Sequence, residues 1–243
     1  MRYPDPLALK LQLNKKTILF GHFQRKGAHK IQQDYVGNIN DECFVVADGV
    51  SGVPHGDTAA ILASETALWG YRHIRLRPFY WADKRLLLRR IFRSSNLTLW
   101  QKQREHGLET GLATTLSIAI IGSQKIWVGS VGDTSILLYR DGLIDFLTSA
   151  DIDNNGNLTS VLGVKRLGLV PHIAVEKFLL HDTLLMATDG VMNFVSEDEL
   201  RGIFESTGET MESIKDAATR LVAIAHKNGS TDNMTACFVK RVG

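Results

Sequence analysis

The order of the predicted elements constrains the fold more than any other feature of this sequence. Strand-like segments come first, two helices follow, a long run of strands comes next, and a helical region and a last strand complete the order. Helices that do not alternate singly with strands disfavour a parallel βαβ sheet. The sequence therefore predicts an α+β fold, a sandwich of two antiparallel β-sheets flanked by helix pairs.

The strand-like segments are short, apolar and rich in β-branched residues, and glycine or aspartate bounds most of them. They lie at 17–23, 41–49, 112–122, 125–133, 134–142, 143–148, 172–180, 183–190 and 233–242. Apolar residues at helical spacing predict helices at about 57–74, 81–105, 197–204 and 211–227. Pro78 separates the first two helices, which we expect to form an antiparallel pair. Since no linker or repeat divides the chain, we expect one domain over residues 1–243.

Composition excludes several classes of protein. A net charge of +2 and a hydrophobic content of 44% disfavour a nucleic-acid or membrane partner and are typical of a globular domain with a sizeable core. Cys43 and Cys237 both lie in apolar strands, so we expect buried, inert thiols and a reducing compartment. We read no signal peptide, and no apolar run approaches the ~18 residues of a membrane span. We therefore expect a cytoplasmic location.

Five aspartates lie at or near the ends of strand-like segments: Asp34, Asp48, Asp133, Asp189 and Asp232. A single Asp-Gly or Gly-Asp pair is ordinarily only a turn, and that alternative stays open for each pair taken alone. Several carboxylates that converge at strand ends repel one another unless cations neutralise them. Oxygen ligands in this number suit Mg²⁺ or Mn²⁺ and not Zn²⁺. The joint pattern therefore favours a metal site.

The sequence resembles the metal-dependent serine/threonine protein phosphatases, the PPM or type 2C family, in a compact bacterial-style form. The resemblance covers about residues 18–240. The motifs that carry it are FVVADGVSGVPHGDTAA, GLATTLSIAI, VGDTSILLYRDGLIDFLT, DTLLMATDGVMNFVSEDEL and STDNMTACFV. It implies packed antiparallel sheets with a metal site at one end of the sheets.

The resemblance also implies the ligands of that site. Asp48 would bridge two Mn²⁺ or Mg²⁺ ions, and the carbonyl of Gly49 would complete the shell of the second ion. Asp189 and Asp232 match the other two aspartates of the first ion. Asp133, together with Asp189, matches a third and weaker metal site.

The reaction implied by the resemblance is hydrolysis of phosphoserine and phosphothreonine by attack of a metal-bridging water. Asp48, Asp189 and Asp34 would be catalytic, with Asp34 beside the ligands, where it orders water. The substrate would be a phosphorylated protein, the product of a serine/threonine kinase. A catalytically weak phosphatase-like domain that binds or regulates a phosphoprotein is the alternative, and a phosphatase for a small molecule is a third.

Two positions depart from the family pattern. The family places an arginine that grips the substrate phosphate where this chain has His29. His29 would contact the phosphate or act as a general acid, or else be an exposed histidine while Lys26, Lys30 or Arg25 supplies the charge. The substrate-selecting flap, at about 147–164, is short.

The stretch 71–78 and the residues just beyond it are strongly basic. They would dock an acidic partner or simply form the solvated face of a helix, and the sequence leaves both interpretations open. The four tryptophans, Trp69, Trp81, Trp100 and Trp127, are expected in or beside the core.

Overall fold

A computed structural model describes residues 18–105 and 111–243 of the chain. Its ten strands form two five-stranded antiparallel sheets, with the orders β1-β10-β9-β6-β7 and β2-β3-β4-β5-β8, here called the first and the second sheet. The strands are β1 (Ile18–Arg25), β2 (Asp34–Ile39), β3 (Cys43–Asp48), β4 (Leu116–Ile121), β5 (Lys125–Val131), β6 (Ser135–Arg140), β7 (Leu143–Phe146), β8 (His172–Lys177), β9 (Thr183–Ala187) and β10 (Met234–Arg241). The helices are α1 (Gly56–Ile74), α2 (Pro78–Ala82), α3 (Lys84–Glu105), α4 (Asp189–Met192), α5 (Glu197–Glu205) and α6 (Met211–Lys227).

The core consists of three layers of buried side chains. One lies between the second sheet and the pair α1 and α3, one between the first sheet and the helices α5 and α6, and one between the two sheets. Strand β3 shows why its sequence is continuously apolar. Val45 belongs to the layer under the helices, whereas Phe44 and Val46 belong to the layer between the sheets. Both faces of the strand are buried, and the predicted sandwich flanked by helices is confirmed.

Small residues let α1 approach its neighbours closely. Ala59, Ala63 and Ala67 recur at helical spacing and are fully buried on the face toward the core. The hydroxyl of Ser95 on α3 donates to the carbonyl of Ala63 at 3.0 Å. The two helices therefore form the expected pair over the second sheet, close to the strands that carry part of the site.

The structure differs from the sequence predictions at three places. Strand β2 was not predicted, because it lies at the edge of its sheet, is mostly half-buried and contains Gly37, so its apolar pattern is weak. The helix predicted from residue 81 is two helices, since Pro78 occupies the first turn of α2 and Asp83 separates α2 from α3. Trp69 was predicted in or beside the core, but it is 62% exposed and stacks on His73.

The side chain of Trp81 lies outside the described residues, whereas Trp100 and Trp127 are half-buried, as expected. Both cysteines are fully buried free thiols, and burial raises the pKa of each well above its ordinary value. Within the described part of the chain, no helix has the length and hydropathy that a membrane span requires.

Candidate metal centre

The fold brings the five predicted aspartates to one end of the sandwich. Asp34 begins β2 and Asp48 ends β3, and the two are direct partners in the antiparallel register. Asp133 follows β5, Asp189 follows β9 and Asp232 precedes β10. Since β9 and β10 are antiparallel neighbours, the last residue of β9 and the first residue of β10 lie at the same end of the sheet. The first sheet therefore contributes Asp189 and Asp232, and the second contributes the rest.

These carboxyls lie close enough to raise one another's pKa. Burial raises the pKa of Asp48 well above its ordinary value, and the charges of Asp34, Asp189, Asp133 and Asp232 raise it further, in that order. Burial, followed by the charge of Asp189, raises the pKa of Asp133 to about 6. The cluster therefore holds its negative charge at a high energetic cost, which a bound cation would remove.

The side chain of Asp34 connects the two sheets. It is buried, and its Oδ2 accepts hydrogen bonds from the hydroxyls of Thr235 at 2.6 Å and Thr188 at 3.2 Å. Burial raises its pKa to about 7 even though both hydrogen bonds act in the opposite direction. Neither threonine was predicted as a site residue, although Thr188 precedes Asp189 directly and Thr235 follows Asp232 by three positions.

Two buried carboxylate oxygens, Oδ1 of Asp34 and Oδ1 of Asp189, have no hydrogen-bond partner among the described residues. Burial raises the pKa of Asp189, and the charge of Asp232 raises it further. A buried acceptor without a partner costs about 1–3 kcal/mol. Unpartnered oxygens in a cluster of carboxylates are the donor set that hard divalent cations prefer, so these residues fit Mg²⁺ or Mn²⁺.

The protein alone does not enclose an ion. In residues 18–105 and 111–243, no three His, Cys, Asp or Glu side chains are grouped closely enough to hold one metal by themselves. Mg²⁺ commonly takes one or two carboxylates and keeps several waters. The arrangement therefore suits ions whose remaining ligands are water and backbone carbonyls.

Two threonines of the segment before β4 hold the backbone of Asp48. Its N–H donates to the hydroxyl oxygen of Thr115 at 2.9 Å. Its carbonyl accepts from the N–H of Thr115 at 2.8 Å and from the hydroxyl of Thr114 at 2.7 Å. The motif GLATTLSIAI carried the family resemblance, but neither threonine had been given a role. Both therefore fix the backbone position of the residue that carries this carboxylate.

The glycines after Asp48 and Asp189 are not turn glycines, because neither has a positive φ. A Cβ on Gly49 would lie 2.3 Å from the backbone of Gly56, at the start of α1. A Cβ on Gly190 would lie 2.1 Å from the carbonyl oxygen of Asn233. Both Asp-Gly pairs therefore exist because backbones approach each other closely at the site.

Asn233 connects the loop before β2 to the cluster. Its Oδ1 accepts from the N–H of Gln33 at 2.6 Å, and its Nδ2 donates to the carbonyl of Lys26 at 2.7 Å. Its own N–H donates to Oδ1 of Asp232 at 2.7 Å. The same oxygen lies 3.1 Å from Nε2 of His29. The loop is thus anchored so that His29 contacts the aspartate cluster.

Lys26, which was an alternative source of positive charge, donates its ammonium group to the carbonyl of Lys30 at 3.2 Å. Lys30 and Arg25 are exposed. Of the basic groups considered from the sequence, His29 is the one whose side chain contacts a predicted ligand within the described residues.

Comparisons with known proteins identify the family of the chain. Residues 25–225 match the sequence profile described as protein phosphatase 2C. The serine/threonine phosphatase stp of Listeria welshimeri is 25% identical over 231 residues, which cover 83% of this chain and 85% of the relative. The protein phosphatase 1F of Homo sapiens is 27% identical over 233 residues, 83% of this chain and 49% of the relative.

Solved structures share the fold. The serine/threonine phosphatase Stp1 from Staphylococcus aureus superposes with a TM-score of 0.82 at 21% identity, covering 94% of this chain and 97% of Stp1. The catalytic domain of the serine/threonine protein phosphatase PstP, in complex with two manganese ions, superposes with a TM-score of 0.73 at 22% identity, covering 93% of this chain and all of that domain. With more than half of its residues matching the family profile, the chain belongs to the protein phosphatase 2C family.

Proposed function

We propose that the aspartate cluster is the metal centre of a serine/threonine protein phosphatase, and that the whole chain, residues 1–243, is its single catalytic domain. One observation carries the proposal: carboxylates from both sheets converge, raise one another's pKa and leave buried oxygens without partners. Family membership and phosphatase relatives support metal-dependent hydrolysis of a phosphoprotein, and no observation favours the catalytically weak alternative.

The ligands we assign are Asp48, the carbonyl of Gly49, Asp189 and Asp232 for two central ions, and Asp133 with Asp189 for a third. Mn²⁺ is the ion we favour, with Mg²⁺ as the substitute, since PstP crystallised with two manganese ions. When bound, such ions acidify water and offset the charge on the phosphoryl oxygens.

The other residues of the site have positioning and proton-handling roles. Thr114 and Thr115 fix the backbone of Asp48, the residue whose carboxylate we assign to both ions. Asp34 keeps Oδ1 free to accept a hydrogen bond from water, because Thr188 and Thr235 occupy only Oδ2. Burial raises the pKa of Asp34 to about 7 without metal, so Asp34 can hold a proton near neutral pH until cations bind beside it.

We assign His29 to the substrate phosphate. Its contact with Asp232 holds the imidazole at the cluster, and its side chain is 40% exposed, so an incoming anion can reach it. Histidine lacks the bidentate fork of arginine, so its grip on a phosphate is weaker than that of the arginine in other members of the family.

The substrate we infer is a protein phosphorylated on serine or threonine by a kinase, so that the enzyme reverses a signal. We also place the reaction in the cytoplasm, because fully buried free thiols suit a reducing compartment.

The assay that tests the proposal is turnover of p-nitrophenyl phosphate and of a phosphothreonine peptide with Mn²⁺. We expect EDTA to abolish turnover, and Asp48→Asn or Asp189→Asn to lower kcat by at least about a hundredfold. Asp145→Asn is the matched control, since it removes a carboxyl from an exposed position of β7. Metal-loaded protein that turns over neither substrate would overturn the proposal.

A further inference from the structure

Helix α3 concentrates positive charge that the proposed phosphatase chemistry does not use. Between Lys84 and Glu105 it carries one acidic residue and seven basic ones: Lys84, Arg85, Arg89, Arg90, Arg93, Lys102 and Arg104. The whole chain has a net charge of only +2, so the remainder of the chain is net negative. The positive charge is therefore concentrated on one helix, which the net charge of the whole chain conceals.

Two of these residues line a groove between α3 and the segment 166–171. Arg89 and Arg93 lie one helical turn apart and, together with Arg166, they line a cavity of about 420 Å³. Arg89 and Arg93 are exposed, and none of the three arginines forms an ion pair with any carboxylate in the described residues, whereas Arg85 pairs with Asp83. Three guanidinium groups without a carboxylate partner around one cavity are complementary to an anionic ligand.

Hydrogen bonds from α3 hold the opposite wall of the groove in place. Asn96 is buried, donates to the carbonyls of Lys165 at 2.8 Å and Arg166 at 3.3 Å, and accepts from the N–H of Gly163 at 2.9 Å. The guanidinium of Arg166 lies 5.2 Å from the ring centroid of Trp100. Because the wall is already ordered, a ligand would lose little affinity to ordering it.

The groove adjoins another cavity on the side of the segment 158–161. A second cavity of about 280 Å³ shares Gly168 and Leu169 with the first and is lined on its other side by residues 158–161. The N–H of Thr159 donates to the carbonyl of Asp151 at 2.7 Å, and Oδ2 of Asp151 accepts from the N–H of Gly132 at 2.9 Å. Gly132 directly precedes Asp133. Hydrogen bonds through Asp151 therefore link the wall of the second cavity to the residue before Asp133, the predicted third-metal ligand.

We propose that this groove docks an acidic segment of the phosphoprotein substrate, outside the residue that is dephosphorylated. The inference rests on the proposed function and adds a specificity determinant to it. The occupant is an extended peptide with two or three carboxylates or phosphates for Arg89, Arg93 and Arg166. It also carries an apolar side chain for the rim, where Leu167 is 62% exposed and Val170 is 78% exposed.

A polypeptide suits the groove better than a nucleic acid does. The lining residues are arginine, asparagine, leucine, valine, glycine and proline, and none is an aromatic ring on which a base would stack. The groove is also concave, whereas a membrane surface requires a flat or convex one.

A binding measurement tests the docking site without relying on turnover. The probe is a fluorescein-labelled peptide that contains a glutamate-rich segment and one leucine, without phosphate, and its affinity is read by fluorescence anisotropy. We expect the double variant Arg89→Gln/Arg93→Gln to weaken binding about tenfold. The control Arg90→Gln/Lys102→Gln removes the same charge from α3 outside the groove and should change binding less than about twofold.

Equal loss in the two double variants would overturn the proposal, since it would mean that only the overall charge of α3 matters. Tighter binding of a single-stranded DNA oligonucleotide or of phosphatidylserine vesicles than of the peptide would overturn it as well. Each of these outcomes is independent of catalysis.

A turnover measurement then connects the groove to the proposed function. We expect the wild-type protein to prefer a phosphothreonine peptide with a glutamate-rich segment over the same peptide with glutamine in its place. The ratio of the two kcat/KM values should fall toward one in Arg89→Gln/Arg93→Gln and stay unchanged in the control. If the wild-type protein hydrolyses neither peptide, the proposed function fails while the anisotropy result still decides the docking site.

Discussion

The variant Asp34→Asn measures how much the buried charge of Asp34 lowers the free energy of unfolding of the metal-free protein. Asparagine keeps the volume of the side chain and an oxygen that can accept from Thr188 and Thr235, but it removes the buried charge. Burial raises the pKa of Asp34 to about 7 in the folded protein, whereas an aspartate in the unfolded chain titrates near 4. The carboxyl is therefore a better proton acceptor when the protein is folded.

The sign of the effect follows from this difference. Below about pH 4 the carboxyl is neutral in both states and costs nothing. As the pH rises toward about 7, the unfolded chain ionises first, so the folded state loses stability until its own carboxyl ionises as well. A difference of about three pKa units corresponds to about 4 kcal/mol. Neighbouring carboxyls compete for the same protons, so we expect the charge of Asp34 to cost at least about half of this free energy, or ~2 kcal/mol.

The assay is urea-induced unfolding in EDTA at two pH values. At about pH 4.5 the Asp34 carboxyl destabilises the wild-type protein only slightly, and at about pH 8 it destabilises it to the full extent. Asp34→Asn should stabilise the metal-free protein by ~2–4 kcal/mol at the higher pH and by little at the lower one. Asp145→Asn, the exposed control, should change stability by less than about 0.5 kcal/mol. Added Mn²⁺ should reduce the difference in stability between the variant and the wild type at the higher pH, because bound Mn²⁺ stabilises the folded wild-type protein. A variant no more stable than the wild type in EDTA at the higher pH would refute this reasoning.

Three further predictions concern the surroundings of the cluster. Gly190→Ala should destabilise the protein by about 2–3 kcal/mol in urea-induced unfolding, since the new Cβ would clash with the carbonyl of Asn233. The control Gly202→Ala, in open space on α5, should stabilise the protein slightly. Equal effects of the two variants on stability would contradict the steric argument. Thr115→Val leaves the N–H of Asp48 unpaired, so we expect the free energy of unfolding to fall by about 1–3 kcal/mol. We also expect weaker Mn²⁺ binding in isothermal titration calorimetry. An unchanged dissociation constant for Mn²⁺ would argue against a role of Thr115 in positioning Asp48. His29→Arg should lower KM for a phosphothreonine peptide about threefold to tenfold and His29→Ala should raise it, and KM values that do not move in either variant would exclude His29 from phosphate binding.

Much of this architecture is predictable from sequence because local signals act over a few residues. The helix predicted at 211–227 has those bounds in the structure, and Thr210 caps its start through the N–H of Ser213. The segments that carry Asp48, Asp133, Asp189 and Asp232 are strands that end or begin beside these residues, as predicted. Strand β2 was missed, since an edge strand whose residues are mostly half-buried lacks a strong apolar pattern.

The sequence by itself determined the kinds of groups at the site: acids at strand ends, glycines beside two of them and a histidine in place of an arginine. Only the tertiary structure decided which of them touch. Asp34 meets Thr188 and Thr235, which are 154 and 201 residues away along the chain, and His29 meets Asp232. It also showed why the two Asp-Gly pairs need glycine, which is close backbone approach and not a turn. Such contacts depend on how two sheets pack, and sheet packing is set by the whole core and not by neighbours in sequence.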